Sequence, residues 1–372
     1  MTVFERASVP GMVYTLSREY YTPATFAREM DQLFMQQWLY VGRSEQLPEV
    51  GSYMLVTIAN ENVIVVRNKQ GNIRAFYNLC RHRGTRMCTA EQGQFANSIQ
   101  CPYHAWTYSL DGDLVGARLM DEVEGFDKAE FGLLPVAVVE WEGFIMLNLA
   151  PHPEPFEQVY APLINRFSDW NIANLHSAQT IEYTIKANWK LIFQNYSECY
   201  HCPLIHPELV QQTDYRSGQN DLTEGPFLGG YMVLNDTHGT FGLGEGVGSH
   251  RPPVGTVAGE DLQRVYFYSI FPNMLLSLHP DYVLVHALYP LDNGTTRIVC
   301  DWLFDPMVMA QPDFDPSDAV SFWDTTNMQD WNVCELTQLG VQSRAFVAGP
   351  YAQAEGLLYA FDQEYLRAMG EI

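Results

Sequence analysis

The chain has 372 residues, enough for two domains, and carries 21 lysines and arginines against 44 aspartates and glutamates, a formal charge of −23. An average field of that sign repels phosphate backbones and anionic lipid, so neither nucleic acid nor a membrane surface is expected as a partner. The N-terminus has no basic stretch leading into an apolar one, and no apolar run is long enough to cross a bilayer, so a cytoplasmic location is expected.

Thr22-Pro23 combines a capping residue with a first-turn proline, and Phe26, Met30, Leu33, Phe34 and Trp38 follow at helical spacing, which predicts a helix over 23–38. Short runs such as "YMLVTI", "NVIVVRN", "IRAFYNL" and "GFIMLNL", punctuated by turn residues, then predict a small antiparallel β domain over 42–150. The proline-rich "PHPEPFE" at 151–157 marks a boundary. Beyond it an alternating run leads into a helical stripe of Trp189, Ile192, Phe193, Tyr196 and Tyr200. Gly and Pro crowd 237–261, which predicts a loop or lid, and no strand leads into those glycines as a dinucleotide fingerprint requires. Three more alternating runs, the last two joined by Asp292-Asn293-Gly294, predict a second antiparallel sheet, and helical periodicity resumes from about 315. The expected fold class is α+β.

Seven cysteines is an odd number, and several stand beside histidines, so metal ligation is a better reading than a disulfide framework. Cys80-x-His82 and Cys101-x-x-His104 form two mixed pairs with eighteen residues between them. A zinc ion can take two thiolates and two imidazoles, but its fingers usually pair like with like. In a Rieske centre two cysteines hold one iron and two histidines the other, so each loop serves both irons, and this explains the mixing. Pro102, Tyr103 and Trp106 are placed to shield such a cluster, and Cys88 fits neither pair.

The second cluster is Glu198, His201 and His206 in "NYSECYHCPLIHPEL". On one helix Glu198 and His201 share a face, whereas His206 stands about 140° round from His201, so Pro203 is expected to break the helix and swing His206 back. Two imidazoles and a carboxylate make the facial triad of non-haem iron(II) oxygenases. The carboxylate ligand must come from elsewhere in the chain. Cys199 and Cys202 are read as buried or spectator thiols, and His279 and His286 as packing residues.

The mixed pairs followed by a His-x4-His segment, together with "YYTPATFAREMDQLFMQQW", resemble the large (alpha) subunit of Rieske non-haem iron oxygenases over nearly the whole chain. The resemblance implies a Rieske [2Fe-2S] cluster on Cys80, His82, Cys101 and His104, and a mononuclear Fe(II) on His201, His206 and Asp330. The family's carboxylate ligand is an aspartate on a late helix, which makes Asp318, Asp324 and Asp330 the candidates here, and Asp330 is favoured because "QDWNVCELTQLGVQS" is similar to the family's ligand helix. Glu198 would link His201 to His104 of a neighbouring subunit, a position where most relatives carry aspartate. Also implied are an N-terminal segment (1–41) packing on the catalytic domain, a Rieske domain (42–150) and a helix-grip catalytic domain (151–372), with an antiparallel sheet covered by helices. The family's arrangement implies a homotrimer and a separate flavin/iron–sulfur reductase or ferredoxin that carries electrons from NAD(P)H. The Glu-Cys-Tyr-His form looks more like the branch acting on quaternary ammonium compounds such as glycine betaine, choline and carnitine than like the naphthalene or biphenyl dioxygenases. Tyr200, Tyr266, Tyr268 and Trp323 are available to face a cationic substrate. Hydroxylation of an aromatic ring on the same fold and a pure iron–sulfur electron carrier are the alternatives.

Overall fold

The computed structural model describes residues 12–235 and 251–372, and most of the expected 237–261 loop lies outside them. The chain divides into two compact units, one running from Phe34 to Val159, the other combining the segment up to Leu33 with Tyr160–Ile372.

In the Phe34–Val159 unit, strands β1 (Leu39–Arg43), β2 (Ser52–Ile58), β3 (Glu61–Arg67), β4 (Ile73–Tyr77), β5 (Gln92–Gln94), β9 (Pro135–Trp141) and β10 (Phe144–Asn148) form one antiparallel sheet in the order β1-β10-β9-β4-β3-β2-β5. Short strands β6 (Ser98–Gln100), β7 (Thr107–Ser109) and β8 (Leu114–Gly116) make a second sheet. The core between them is built on Ile64, Phe76, Ile99, Trp106 and Tyr108 and includes Cys80 and Cys101. A short helix, α2 (Phe156–Val159), ends the unit, with Phe156 edge-on to Trp38.

In the other unit Thr22 caps α1 (Pro23–Glu29), which widens into a π-helical turn over Met30–Phe34. The helical stretch thus stops short of the expected 38, and Trp38 instead packs on Phe156 and donates to the Glu154 carbonyl. The unit's sheet has the order β11-β17-β16-β15-β14-β13-β12, with β11 (His176–Ile185), β12 (Thr213–Leu222), β13 (Phe227–Leu234), β14 (Arg264–Ile270), β15 (Met274–Leu278), β16 (Val283–Asp292) and β17 (Thr295–Phe304). Asp292 accepts from the Gly294 N–H in the hairpin that joins β16 to β17. The helices are α3 (Trp189–Tyr196), α4 (Cys202–Ile205), α5 (Pro207–Gln212), α6 (Pro306–Met309), α7 (Ser317–Val341) and α8 (Gly356–Ala368). Helix α3 packs on α7, α8 and β16, and α7 also packs on β11. Antiparallel sheets covered by helices make this an α+β protein.

A buried ion pair ties α1 into this unit. Lys190, fully buried, meets Glu29 at 2.5 Å, with the rings of Tyr21, Trp189 and Tyr365 all within 5.3 Å of its Nζ. Glu29 also accepts from Trp189 Nε1 at 2.9 Å and from the Tyr365 hydroxyl at 2.8 Å. A charge this deep persists only when paired and fully hydrogen-bonded. Among the described residues no helix is long and apolar enough to cross a membrane.

Candidate functional site

The two Cys/His loops close in the same way. Cys80 N–H donates to Thr85 and Cys101 N–H to Trp106, each reaching five residues on. In return Gly84 N–H donates to Cys80, and Ala105 N–H to Cys101. Gly84 (φ +72°) and Ala105 (φ +58°) take the left-handed turn that each closure needs. Both thiols are 2 % exposed, whereas His82 is exposed and His104 half-buried. The two imidazoles lie with centroids 4.7 Å apart, and His82 stacks on buried Trp106. Of the expected shields only Trp106 is buried; Pro102 and Tyr103 are exposed, although the Tyr103 ring lies against His104. Tyr108, fully buried, brings its hydroxyl 3.4 Å from Cys80 Sγ and accepts from the Arg81 N–H. Burial pushes the Cys80 thiol above its ordinary range. A sulfur-lined inner side and an imidazole-lined outer side would fit a two-iron cluster with unlike irons. Cys88 stands apart, its backbone N–H held by Asn78.

Helix α3 ends at Tyr196, before Glu198, so Glu198 and His201 do not share a helix as expected. Glu198 instead accepts from the backbone N–H groups of Tyr200 and His201, and it holds His201 Nδ1 at 2.6 Å. Pro203 lies in the first turn of α4 rather than breaking a helix, and the break falls at His206. Pro207 opens α5, and a residue before proline is disfavoured in the helical region, so His206 turns out at φ −121°, ψ 73°. This turn brings His206 Nε2 to 3.1 Å from His201 Nε2.

Asp330, from the middle of α7, puts Oδ1 2.8 Å from His206 Nε2 and 3.3 Å from His201 Nε2. The other two candidates are engaged elsewhere: Asp318 pairs with Arg251, and Asp324 accepts from the Tyr183 hydroxyl. Burial opposes a charge on His201, but Asp330 and Glu198 overcome it and raise the imidazole to about 10. Burial likewise works against the Asp330 charge, yet the two histidines hold its carboxyl below the usual range. The point where the three donors meet therefore favours a positive charge, which is what a cation would supply, and two imidazoles with one carboxylate suit iron(II). Gln329 Oε1 lies 2.7 Å from His206 Nδ1. Nothing in the sequence singles Gln329 out beyond its place beside Asp330.

Cys199 and Cys202, read from sequence as spectator thiols, are joined in a disulfide. The Cys202 sulfur lies within 4.8 Å of a nitrogen of His201 and of His206, but a sulfur so bonded is no thiolate donor, which leaves Asp330 as the anionic member.

These groups open into a cavity of about 590 Å³. Of the aromatics expected to face a substrate, Tyr200 and Trp323 line it, but Tyr266 and Tyr268 do not. On β14 alternate residues face opposite sides, so Phe267 and Ser269 line the cavity while Tyr266 packs on Trp170 and Tyr268 on Phe167. Tyr231 of β13 and Arg216 of β12 also line it. His279 and His286 are buried, the first stacked on Tyr282, the second within 3.3 Å of Asn327 and lowered by burial to about 4.

Residues 37–127 match the Rieske [2Fe-2S] domain family, and residues 172–371 match the ring hydroxylating alpha subunit catalytic domain. The glycine betaine monooxygenase oxygenase subunit of Chromohalobacter salexigens is 33% identical, over 91% of this chain and 82% of its own length. The carnitine monooxygenase oxygenase subunit of Acinetobacter baumannii is 29% identical, over 91% and 88%. The crystal structure of the quaternary ammonium Rieske monooxygenase CntA with substrate gamma-butyrobetaine superposes with a TM-score of 0.78 at 26% identity, covering 98% of this chain and 97% of that one. With the cluster loops and the two-histidine, one-carboxylate site each in a matched domain, the chain belongs to the Rieske oxygenases as a ring hydroxylating alpha subunit.

Proposed function

We propose that this oxygenase hydroxylates an N-methyl group of a quaternary ammonium compound, which then loses formaldehyde to leave the demethylated amine. The observation that carries the reading is the cavity itself: the His201, His206 and Asp330 donors share it with Phe267 and Trp323. Aromatic faces attract a cation that cannot form hydrogen bonds, which is the difficulty a quaternary ammonium presents. The names of the relatives support the same substrate class.

In this reading Cys80 and Cys101 hold one iron of the Rieske cluster, and His82 and His104 the other. His201, His206 and Asp330 hold the mononuclear iron. Together the two centres supply electron transfer and dioxygen activation when bound. The chain's own residues do the rest. Glu198 and Gln329 each engage an Nδ1, so both Nε2 atoms turn toward Asp330. The aromatic walls exclude water and position the methyl group. Overall, the substrate methyl, dioxygen, two electrons and two protons give the N-hydroxymethyl compound and water. Loss of formaldehyde and a proton then leaves the tertiary amine.

The same reading assigns 42–150 as the cluster domain, 151–372 as the catalytic domain and 1–41 as an N-terminal segment of the catalytic side. Electrons come from NAD(P)H through a separate reductase or ferredoxin, in the cytoplasm. They pass between neighbouring subunits of a homotrimer by way of Glu198, whose carboxylate can bridge two imidazoles.

The test is a single turnover of chemically reduced, iron-loaded protein with dioxygen and a panel of quaternary amines and aromatic acids, followed by mass spectrometry. Formaldehyde with the matching demethylated amine is expected. A ring-hydroxylated product without formaldehyde overturns the substrate class in favour of aromatic hydroxylation.

A further inference from the structure

Arg216 is the sole lysine or arginine among the described residues that line the cavity. Its placement comes from an irregularity in the sheet. Strand β12 pairs with β13 at Thr213 and Asp214 and again from Gln219, and the register shifts between those points. Such bulges re-aim side chains and are common beside active sites. Here Tyr215, Arg216 and Gly218, all in the bulged stretch, line the cavity.

The Arg216 guanidinium is positioned by its neighbour. Its Nε donates to the Tyr215 hydroxyl at 3.0 Å, and its Cζ lies 5.3 Å from the Tyr215 ring centroid. Among the described residues it makes no ion pair. Arg216 is exposed at the cavity wall, so its guanidinium is open to an anion that enters, in a chain with 44 acidic residues against 21 basic ones. The carboxylates of the same cavity do not serve as that anion, because Glu198 and Asp330 are engaged with His201 and His206.

We propose that Arg216 binds the carboxylate of a zwitterionic quaternary amine and so selects a betaine-type substrate over a purely cationic one such as choline. The inference rests on the quaternary-amine reading above. A cation alone would face Arg216 as a like charge, whereas an inner salt pairs its carboxylate with the guanidinium and lays its ammonium on the faces of Phe267 and Trp323. The guanidinium fork matches a carboxylate in two places, which a lysine ammonium does only as a point charge.

The test is calorimetric titration of the iron-loaded holoenzyme with glycine betaine, gamma-butyrobetaine, glycine betaine methyl ester and choline, for the wild type, Arg216→Gln and Arg216→Lys. The wild type is expected to bind the better zwitterion about tenfold to hundredfold more tightly than the ester and choline. Arg216→Gln should bring that preference to within about threefold, with Arg216→Lys in between. A wild type without the preference, or an Arg216→Gln protein that keeps it, overturns the proposal. Formaldehyde formed equally from choline and glycine betaine removes this selectivity and leaves the parent reading standing. A wild type that binds none of the four and releases no formaldehyde overturns both.

Discussion

Gln329 and His206 are joined by a hydrogen bond of 2.7 Å, from the imidazole Nδ1–H to the side-chain amide oxygen. That contact leaves the Nε2 lone pair aimed at Asp330. Partners of this kind typically change metal affinity by about tenfold to a hundredfold when removed. Gln329→Leu should therefore weaken mononuclear iron binding by about that factor, and Gln329→Glu, which keeps an acceptor, should retain most of it. Iron competition titration reads the affinity, while the visible absorption of the cluster should stay as in the wild type.

Asp330→Asn and His206→Ala remove donors from one centre only. Iron content should fall from about three to about two per chain, with the cluster's electron paramagnetic resonance signal intact. Loss of that signal in either variant would falsify the assignment of the two centres to separate ligand sets.

The Tyr108 hydroxyl beside Cys80 Sγ is set to donate to a thiolate and draw off part of its charge. A hydrogen bond to a cluster sulfur favours the reduced, more negative state. Tyr108→Phe should lower the cluster's reduction potential by on the order of tens of millivolts. Protein-film voltammetry measures it, and an unchanged potential would remove Tyr108 from the tuning groups.

The buried pair of Lys190 and Glu29 predicts an asymmetry in stability. Glu29→Gln leaves the Lys190 charge uncompensated and should cost about 3–5 kcal/mol, visible as a lower melting temperature. Replacing both, as in Glu29→Leu with Lys190→Met, should recover much of that loss. A double variant that melts below the single one would count against the pair being held by mutual compensation.

Asp362 gives a pH dependence. Burial is the largest effect on its carboxyl and raises it from 3.8 to about 7, against the lowering pull of Tyr351, Gln194 and Lys190. The folded state therefore holds this proton more tightly than the unfolded state does. Its stabilising contribution is complete at acid pH and is lost as pH rises from about 4 to about 7, in total on the order of 4 kcal/mol. Asp362→Asn should flatten that part of the profile of unfolding free energy against pH, and an unaltered slope would exclude Asp362 as its source.

The local motifs were legible from residue order because chain neighbours determine them. The Cys80-x-His82 and Cys101-x-x-His104 loops close through bonds spanning only four or five residues. The break beside His206 is likewise local, although the proline responsible is Pro207 rather than Pro203. Strand alternation on β14 was also present in the sequence, and applying it strictly would have exchanged Tyr266 and Tyr268 for Phe267.

Among Asp318, Asp324 and Asp330 the sequence favoured Asp330 through resemblance alone, and the physical reason for the choice lies in the tertiary structure. Each is six residues from the next on one helix, and their fates differ because α7 meets different neighbours along its length: Arg251, Tyr183 and the two imidazoles. The same holds for Gln329, which reaches His206 across 123 residues of chain, and for Arg216, exposed to the cavity by a register shift between two strands. Sterics along a few bonds decide a loop or a cap. Which side chains meet across a hundred residues depends on how whole helix and sheet faces pack, and that is a property of the folded chain.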